Sequence, residues 1–446
     1  MPLRVFTPEI DGWIVVVGAL AGAACSIPGT WLLVRGRLMA GDAVTHAVLP
    51  GIAGAFIAFQ SRDPLLMLAG AAISGIACLL LAVVLERALR VDRGAALGVA
   101  FSAFFAIGLV LIVQGADRVD LDPSCVLYGA LELAPIDSVS FGLFAPGGPI
   151  ISIPRAVPTL LVALAACAIA SWVLFKELRL GAFDPGFAAA IGARPLLIDL
   201  LLAALVAMVS VAAFESVGSI LVVALLAALP AAARMLSSRV GTMLLLGPGL
   251  AIAASVAGHF VAVAVPPLFS DRLGDTSSAG TMALMSGLIF LACALLGPER
   301  GIVLRVARQR QLQERIAREE LLALLWRSQE RGLAVEVQDI RRHFVTMAVG
   351  RRASGRAVRS LSQRDWVTSS NDRLALTTSG EREAARVIRS HRLWESYLAE
   401  QASIRPDHVH ATASRLEHVT GDDLAAQLAT ETNATLDPHG QQIPRE

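Results

Sequence analysis

The sequence predicts an all-α polytopic membrane bundle of about nine spanning helices, followed by a soluble tail that is itself mostly helical. Two observations carry that expectation. The chain has 446 residues, 55% hydrophobic and only 17% charged, where a soluble domain usually carries about 25% charge. The charge is also uneven: residues 1–300 hold 34 Asp, Glu, Lys and Arg, and residues 301–446 hold 41 in half the length. A membrane region over 1–300 is therefore expected, with a charged tail long enough to bury its own core.

A spanning helix needs about 20 apolar residues. Nine stretches come near it: 12–34, 45–60, 65–85, 95–115, 157–175, 195–213, 216–233, 240–266 and 279–297. The second is short, and a weak apolar patch at 139–153 reads as a re-entrant candidate, so the expected count is eight to ten. With the tail placed in the cytoplasm, nine spans put ten Lys/Arg in inner loops and five outside. Positive charge collects inside, so the N-terminus is expected outside. MPLRVFTPEIDG is polar, and the apolar run after it is too long for a signal peptide, so it reads as a retained span. Ala and Gly recur in SGIAC (74–78) and AAIGA (189–193), which implies close helix packing in lipid.

Composition also excludes functions. The five cysteines, Cys25, Cys78, Cys125, Cys167 and Cys293, all precede residue 300 and none has CxxC spacing. That removes a zinc finger from the tail and argues against a disulfide framework. Lys176 is the single lysine and sits in FKEL, with no glycine-rich run before it. A P-loop needs such a run ending in Gly-Lys-Ser/Thr, so no nucleotide site is expected in this chain. Any ATP-driven work requires a separate ATPase. No Ser/His/Asp arrangement is recognisable, and the chain does not read as an enzyme.

The polar exception among the spans is GDAVTHAVLPG at 41–51. Asp42 and His46 are four apart and share one helix face. Ionisable groups in a span are costly and usually face the interior or a path. A carboxylate and an imidazole one turn apart suit a divalent cation. The alternative is a helix cap at Asp42 and a His46 bonded to a carbonyl.

The tail divides at about residue 378. In 301–378 a helical stretch carries the stripe Leu321, Leu322, Leu324, Leu325 and Trp326. AVEVQDIRRHF and an Arg-rich helix near 352–363 follow, then two strand-like runs, DWVTSS and DRLALTT. This order predicts a winged helix-turn-helix with a two-stranded ribbon. Residues 305–364 hold 14 Arg against 6 acids; Arg351, Arg352, Arg356 and Arg359 are candidates to meet DNA phosphates. Solvated faces or lipid-headgroup contacts explain the same charges.

Residues 379–446 predict a small helical metal-sensing domain. Five of the eight His fall between 391 and 439. A helix over 379–400, capped by Ser379, puts His391 and Glu395 on one face. HVHATASRLEHVTGDDL reads as one further helix, repeating His410, Ser414 and His418 every four residues, with Glu417 beside His418. Two helices that each offer imidazole and carboxylate can enclose a divalent cation. Lacking thiolate, the set favours manganese or iron(II) over a thiolate-type zinc site.

GDAVTHAVLPG, KELRLGAFDPGFAAAIG (176–192), VGSILVVALLAALPAAARML (217–236) and DTSSAG (275–280) together resemble the ABC-type metal permeases, over residues 12–298. The resemblance implies a type II ABC importer-like bundle in the bacterial cytoplasmic (inner) membrane that moves manganese, then iron or zinc. It also implies a cytoplasmic ATPase, an extracytoplasmic metal-binding lipoprotein and a second permease subunit as partners, with Asp42 and His46 on the metal path. HRLWESYL, VHATASRLEHVTGDDL and DPHGQQIP resemble the diphtheria-toxin-repressor-type regulators, over 319–446. That likeness implies one metal site from His391, Glu395 and His410. It implies a second from Glu417 and His418 with Glu320 or Glu319, where Ser414 stands in place of the family's Cys or Glu. The alternative function is a membrane-tethered, metal-dependent DNA-binding regulator.

Overall fold

Apolar length shapes the first half of the chain. The computed structural model describes residues 7–61, 64–116, 129, 131–142, 150–192, 194–265, 276–333, 335–336, 340, 351–370 and 373–444. Among them, nine helices are long and apolar enough to cross a membrane. They are α1 (Pro8–Val34), α2 (Leu38–Phe59), α3 (Pro64–Leu89), α4 (Arg93–Ala116), α5 (Ala156–Val173), α8 (Pro195–Val217), α9 (Ser219–Leu236), α10 (Val240–Ala264) and α11 (Ser278–Leu296). Two short helices, α6 (Phe175–Phe183) and α7 (Pro185–Ala190), lie between α5 and α8. Asp184 caps α7 by accepting the Phe187 N–H at 2.8 Å, which satisfies one of the open donors of a helix start.

Two expectations change here. The second span begins at Leu38 rather than 45, and Pro50 lies inside it without ending it. Asp42, Thr45 and His46 dilute the apolar signal, yet the backbone is helical through all three. The two ends of the 139–153 patch are paired strands rather than a re-entrant segment: β1 (Ser138–Gly142) pairs antiparallel with β2 (Ile150–Pro154), and 143–149 lie outside the described residues. Its Val, Phe and Ile residues favour strand.

Small residues set the packing of the bundle. A Cβ added at Gly51 of α2 would run into the Gly70 carbonyl of α3, and one at Gly70 into the Gly51 carbonyl. Backbone thus meets backbone where α2 crosses α3. Gly218 takes φ +80 between α8 and α9, a conformation other L-residues rarely adopt. The buried Trp31 indole donates to Ser171 Oγ at 2.9 Å, tying α1 to α5. After α1, Arg35 and Arg37 both pair with Asp199 at the start of α8.

The chain divides into two units, Met1–Leu304 and Arg305–Glu446, within α12 (Ile302–Glu330). In the second unit, β3 (Val335–Glu336), β4 (Val367–Ser370) and β5 (Arg373–Leu376) form an antiparallel sheet in the order β3-β5-β4. The expected two-stranded ribbon therefore has a third, two-residue strand, too short to show a period-2 pattern. Leu321 and Leu325 of α12 pack with Leu361 of α13 (Arg351–Gln363) and Leu374. Of AVEVQDIRRHF, Ile340 is helical and buried; most of the rest lies outside the described residues.

The last helices are α14 (Thr378–Glu400), α15 (Pro406–Leu416) and α16 (Asp422–Thr432). The cap of α14 is Thr377, not Ser379: its Oγ1 accepts the Gly380 N–H at 3.0 Å. The expected single helix through HVHATASRLEHVTGDDL is broken. After Leu416 a 3-10 turn covers Glu417–Val419, and Thr420 and Gly421 are extended before α16. The four-residue spacing hides this break: Thr420 caps the end of the turn and Gly421 the start of α16.

Candidate metal centres

The bundle offers one of the predicted pairs. Asp42 and His46 stand one turn apart on α2, with His46 Nε2 3.6 Å from Asp42 Oδ1. Asp42 Oδ1 is shielded from solvent and accepts no hydrogen bond among the described residues. The imidazole lies between Phe101, stacked at 5.8 Å, and Phe105, edge-on at 5.5 Å. Both residues are only half-buried, and both come from a single helix. The pair offers two donors and leaves the remaining positions around an ion open.

The tail builds two fuller sets. The first joins α14 and α15: His391 Nε2 is 3.1 Å from Glu395 Oε1 and 3.0 Å from His410 Nδ1. Glu395 Oε1 is in turn 2.9 Å from His410 Nδ1. One ligand atom from each of the three lies within 4.8 Å of the others. His391 and Glu395 are buried, while His410 faces solvent, so the set opens on one side. Nitrogen and oxygen donors without thiolate fit manganese or iron(II).

The second set gathers Glu320 of α12 with Glu417 and His418 of the 3-10 turn, again within 4.8 Å. His418 Nε2 faces Glu320 Oε1 at 3.5 Å and Glu417 Oε1 at 3.7 Å. Its Nδ1 is 2.8 Å from Glu319 Oε2. The sequence left Glu319 and Glu320 as alternatives; the geometry gives them different places, Glu319 behind the imidazole and Glu320 in front. Ser414 Oγ donates to Glu320 Oε1 at 3.5 Å.

Glu417 reaches both sets. Its Oε2 accepts from His391 Nδ1 at 2.5 Å while Oε1 faces His418. A metal-binding histidine commonly donates its second N–H to a carboxylate, which fixes the ring. Glu417 has that place behind His391, as Glu319 has behind His418.

Electrostatics follow from this crowding. Burial alone would lower the His391 and His418 pKa values, but their carboxylate neighbours raise both, His418 to about 9. Burial opposes ionisation of Glu395, yet His391 and His410 bring its pKa down to about 2. Anionic carboxylates beside proton-holding imidazoles form a site in which a cation displaces protons.

The predicted DNA contacts fare differently. Arg356 is paired with Glu314 at 3.2 Å, and Arg359 Nε donates to the Gly355 carbonyl at 3.2 Å. Arg352 is on α13, but its side chain, like that of Arg351, lies outside the described part. Sequence reasoning missed the buried pair Asp11 and His259, with Oδ1 and Nε2 3.2 Å apart. It joins α1 to α10, and the rule that flagged His46, an ionisable group in an apolar run, points to it equally.

Residues 10–139 and 148–297 match the model of the ABC 3 transport family. The chain belongs to the ABC 3 transport family. Residues 377–445 of this ABC 3 chain match the iron dependent repressor, metal binding and dimerisation domain. It is 33% identical to the manganese transport system membrane protein MntD of Bacillus subtilis over 307 residues, 69% of this chain and 98% of the relative. MntC of the same organism, also a manganese transport system membrane protein, is 26% identical over 426 residues, 93% of this chain and 91% of the relative. That second similarity runs through the tail. The solved structure of PsaBC from Streptococcus pneumoniae in complex with Fab is similar with a TM-score of 0.52 at 25% identity, covering 65% of this chain and 92% of that one. This ABC 3 chain is thus a multi-pass membrane permease with a repressor-type metal-binding domain fused behind it.

Proposed function

We propose that the chain is the permease subunit of an ATP-driven importer for a divalent transition metal, manganese before iron or zinc, with a cytoplasmic tail that measures the imported ion. One observation carries this reading. The same donor chemistry, carboxylate with imidazole and no thiolate, occurs in α2 of the bundle and twice in the tail. In the bundle Asp42 and His46 form a transit point on the metal path. In the tail His391, Glu395 and His410 hold one ion, and Glu320, Glu417 and His418 hold a second. The names of the relatives favour manganese.

The chain has no P-loop, so a separate cytoplasmic ATPase supplies the energy. An extracytoplasmic metal-binding lipoprotein delivers the ion, and a second permease subunit completes the pore in the cytoplasmic (inner) membrane. Functionally the tail divides into a winged helix over 301–378 and a metal-sensing, dimerising part over 379–446. Metal favours one of two tail arrangements, and the tail reports that state to the permease. Report to DNA is the weaker reading, because Arg356 and Arg359 are already engaged within the tail.

Radioactive manganese accumulation in cells lacking this gene, and regaining it, tests the transport claim. Restoration of uptake by the gene is expected. Equal uptake with and without it, for manganese, iron and zinc alike, defeats the proposal.

A further inference from the structure

The donor pair of α2 is gripped from a second helix. Phe101 and Phe105 are four apart on α4, so both rings project from one face. His46 lies against the two: the planes of His46 and Phe101 are 30° apart, and Phe105 meets the imidazole edge-on at 84°. Neither phenyl ring is loose. Phe101 packs against the small-residue cluster that includes Ala43 and Ala47 of α2, and Phe105 against the main core of the bundle. Less than one turn beyond Phe105, Gly108 meets α2 directly. A Cβ there would come within 2.9 Å of Leu49 Cβ and of the Pro50 nitrogen. Close backbone approach therefore sets how far the two rings stand from the imidazole.

This grip has a chemical consequence. A histidine on an open helix face has several rotamers, and each rotor frozen on binding costs affinity. Here the rings hold the imidazole with Nε2 3.6 Å from Asp42 Oδ1. An ion held by nitrogen or oxygen at about 2.1 Å places neighbouring ligands roughly 3 to 3.5 Å apart. The pair already stands near that spacing before an ion arrives. The rings also decide what surrounds the ion. Calcium takes roughly six to eight oxygen ligands, and the flank of His46 that meets α4 offers carbon.

We propose that Phe101 and Phe105 are positioning residues of the metal path. They aim the His46 imidazole and keep oxygen ligands from its flank, which favours a transition metal that accepts nitrogen over calcium. This rests on the proposal that Asp42 and His46 lie on the path. The cage stays open; only the imidazole within it is fixed.

The test measures initial rates of manganese uptake, with and without excess calcium, in cells lacking the gene and complemented with each variant. Phe101→Ala combined with Phe105→Ala should raise KM by at least about tenfold, the scale of losing an outer partner of a metal ligand. Vmax should stay within about twofold, because capture of the ion is altered and not its turnover. Calcium should inhibit the doubly substituted chain and spare the wild type. Phe101→Tyr combined with Phe105→Tyr keeps both ring faces and should retain the wild-type KM and calcium resistance. Phe104→Ala, on the same helix but packed on the small-residue cluster, should leave KM unchanged. Metal bound by the tail of the purified chain reports that each variant is folded. Should the double alanine variant fail that check, Phe101→Leu, which keeps bulk without a ring face, is read in its place for the same two changes. A wild-type gene that restores uptake, with KM and calcium resistance indifferent to loss of the rings, overturns this inference alone. An equal rise of KM in Phe104→Ala does the same. A wild-type gene that restores no uptake overturns the underlying reading as well.

Discussion

The donor pair in α2 and the donor sets in the tail use the same side chains in opposite ways. Asp42 and His46 come from one helix, stand half-open, and touch at 3.6 Å. The tail sets draw on α12, α14, α15 and the 3-10 turn, are mostly buried, and have contacts as short as 2.5 Å. Under the proposed function, the difference teaches what residence time demands. A transit point must admit an ion and let it go, so few ligands and a loose cage suffice. A gauge must hold its ion against exchange, so ligands are brought from distant segments and fixed from behind.

The largest expected effect separates the two directly. His46→Ala should bring metal uptake in complemented cells down by at least about tenfold, since even lost outer partners cost 10–100-fold. Metal bound by the tail of the purified chain should remain. Loss of tail binding in that variant would erase the distinction.

Next comes the carboxylate common to both tail sets. Glu417→Ala removes a ligand from one site and the support behind His391 from the other. Both tail ions should weaken, each by about 10–100-fold, whereas Glu395→Ala should weaken mainly the first. Equilibrium dialysis with manganese reads the two stoichiometries; an unchanged first site in Glu417→Ala would show that the 2.5 Å contact does not matter.

The tail should also respond to pH in two opposite senses. His418 has its pKa raised from 6.5 to about 9 in the metal-free fold. Its proton thus stabilises that fold fully below about pH 6.5, and this contribution is lost as pH rises through about 9. Metal must displace the same proton, so manganese affinity should climb over that interval. Thermal melts and titrations from pH 6.5 to 9 check both trends, and parallel trends would contradict the assignment.

The smallest effect is purely structural. Thr377→Ala removes the α14 cap and should cost the tail about 1 kcal/mol, read by denaturant unfolding, with metal stoichiometry intact.

These predictions rest on features of unequal legibility. The spans were legible because twenty apolar residues in a row permit few other fates. The start of α2 was not, since Asp42 and His46 lower the apolar signal in the very turn that matters. The pairing of His391 with Glu395 was visible as a four-residue spacing within one helix. Glu417 behind His391 was not, because it depends on how the 3-10 turn folds back onto α14. The same spacing rule misled at 417–419, where hydrogen-bonded helix stops while the His-Ser-His rhythm continues. Ser379 and Thr377 are equally good caps by chemistry; only the register of the Gly380 N–H decides between them. His439 sits in a turn with its Nε2 3.9 Å from Glu395 Oε1, and no periodicity marks a turn residue that lands beside a distant carboxylate.

The bare backbone crossing of Gly51 and Gly70 has a consequence for the path itself. The helix that carries Asp42 and His46 has no slack on that flank, so any side chain at 51 or 70 must wedge it aside. Two residues with nothing to offer an ion therefore govern where Asp42 and His46 stand, and on the proposed metal path drift at either glycine would detune the conduit as surely as losing the imidazole.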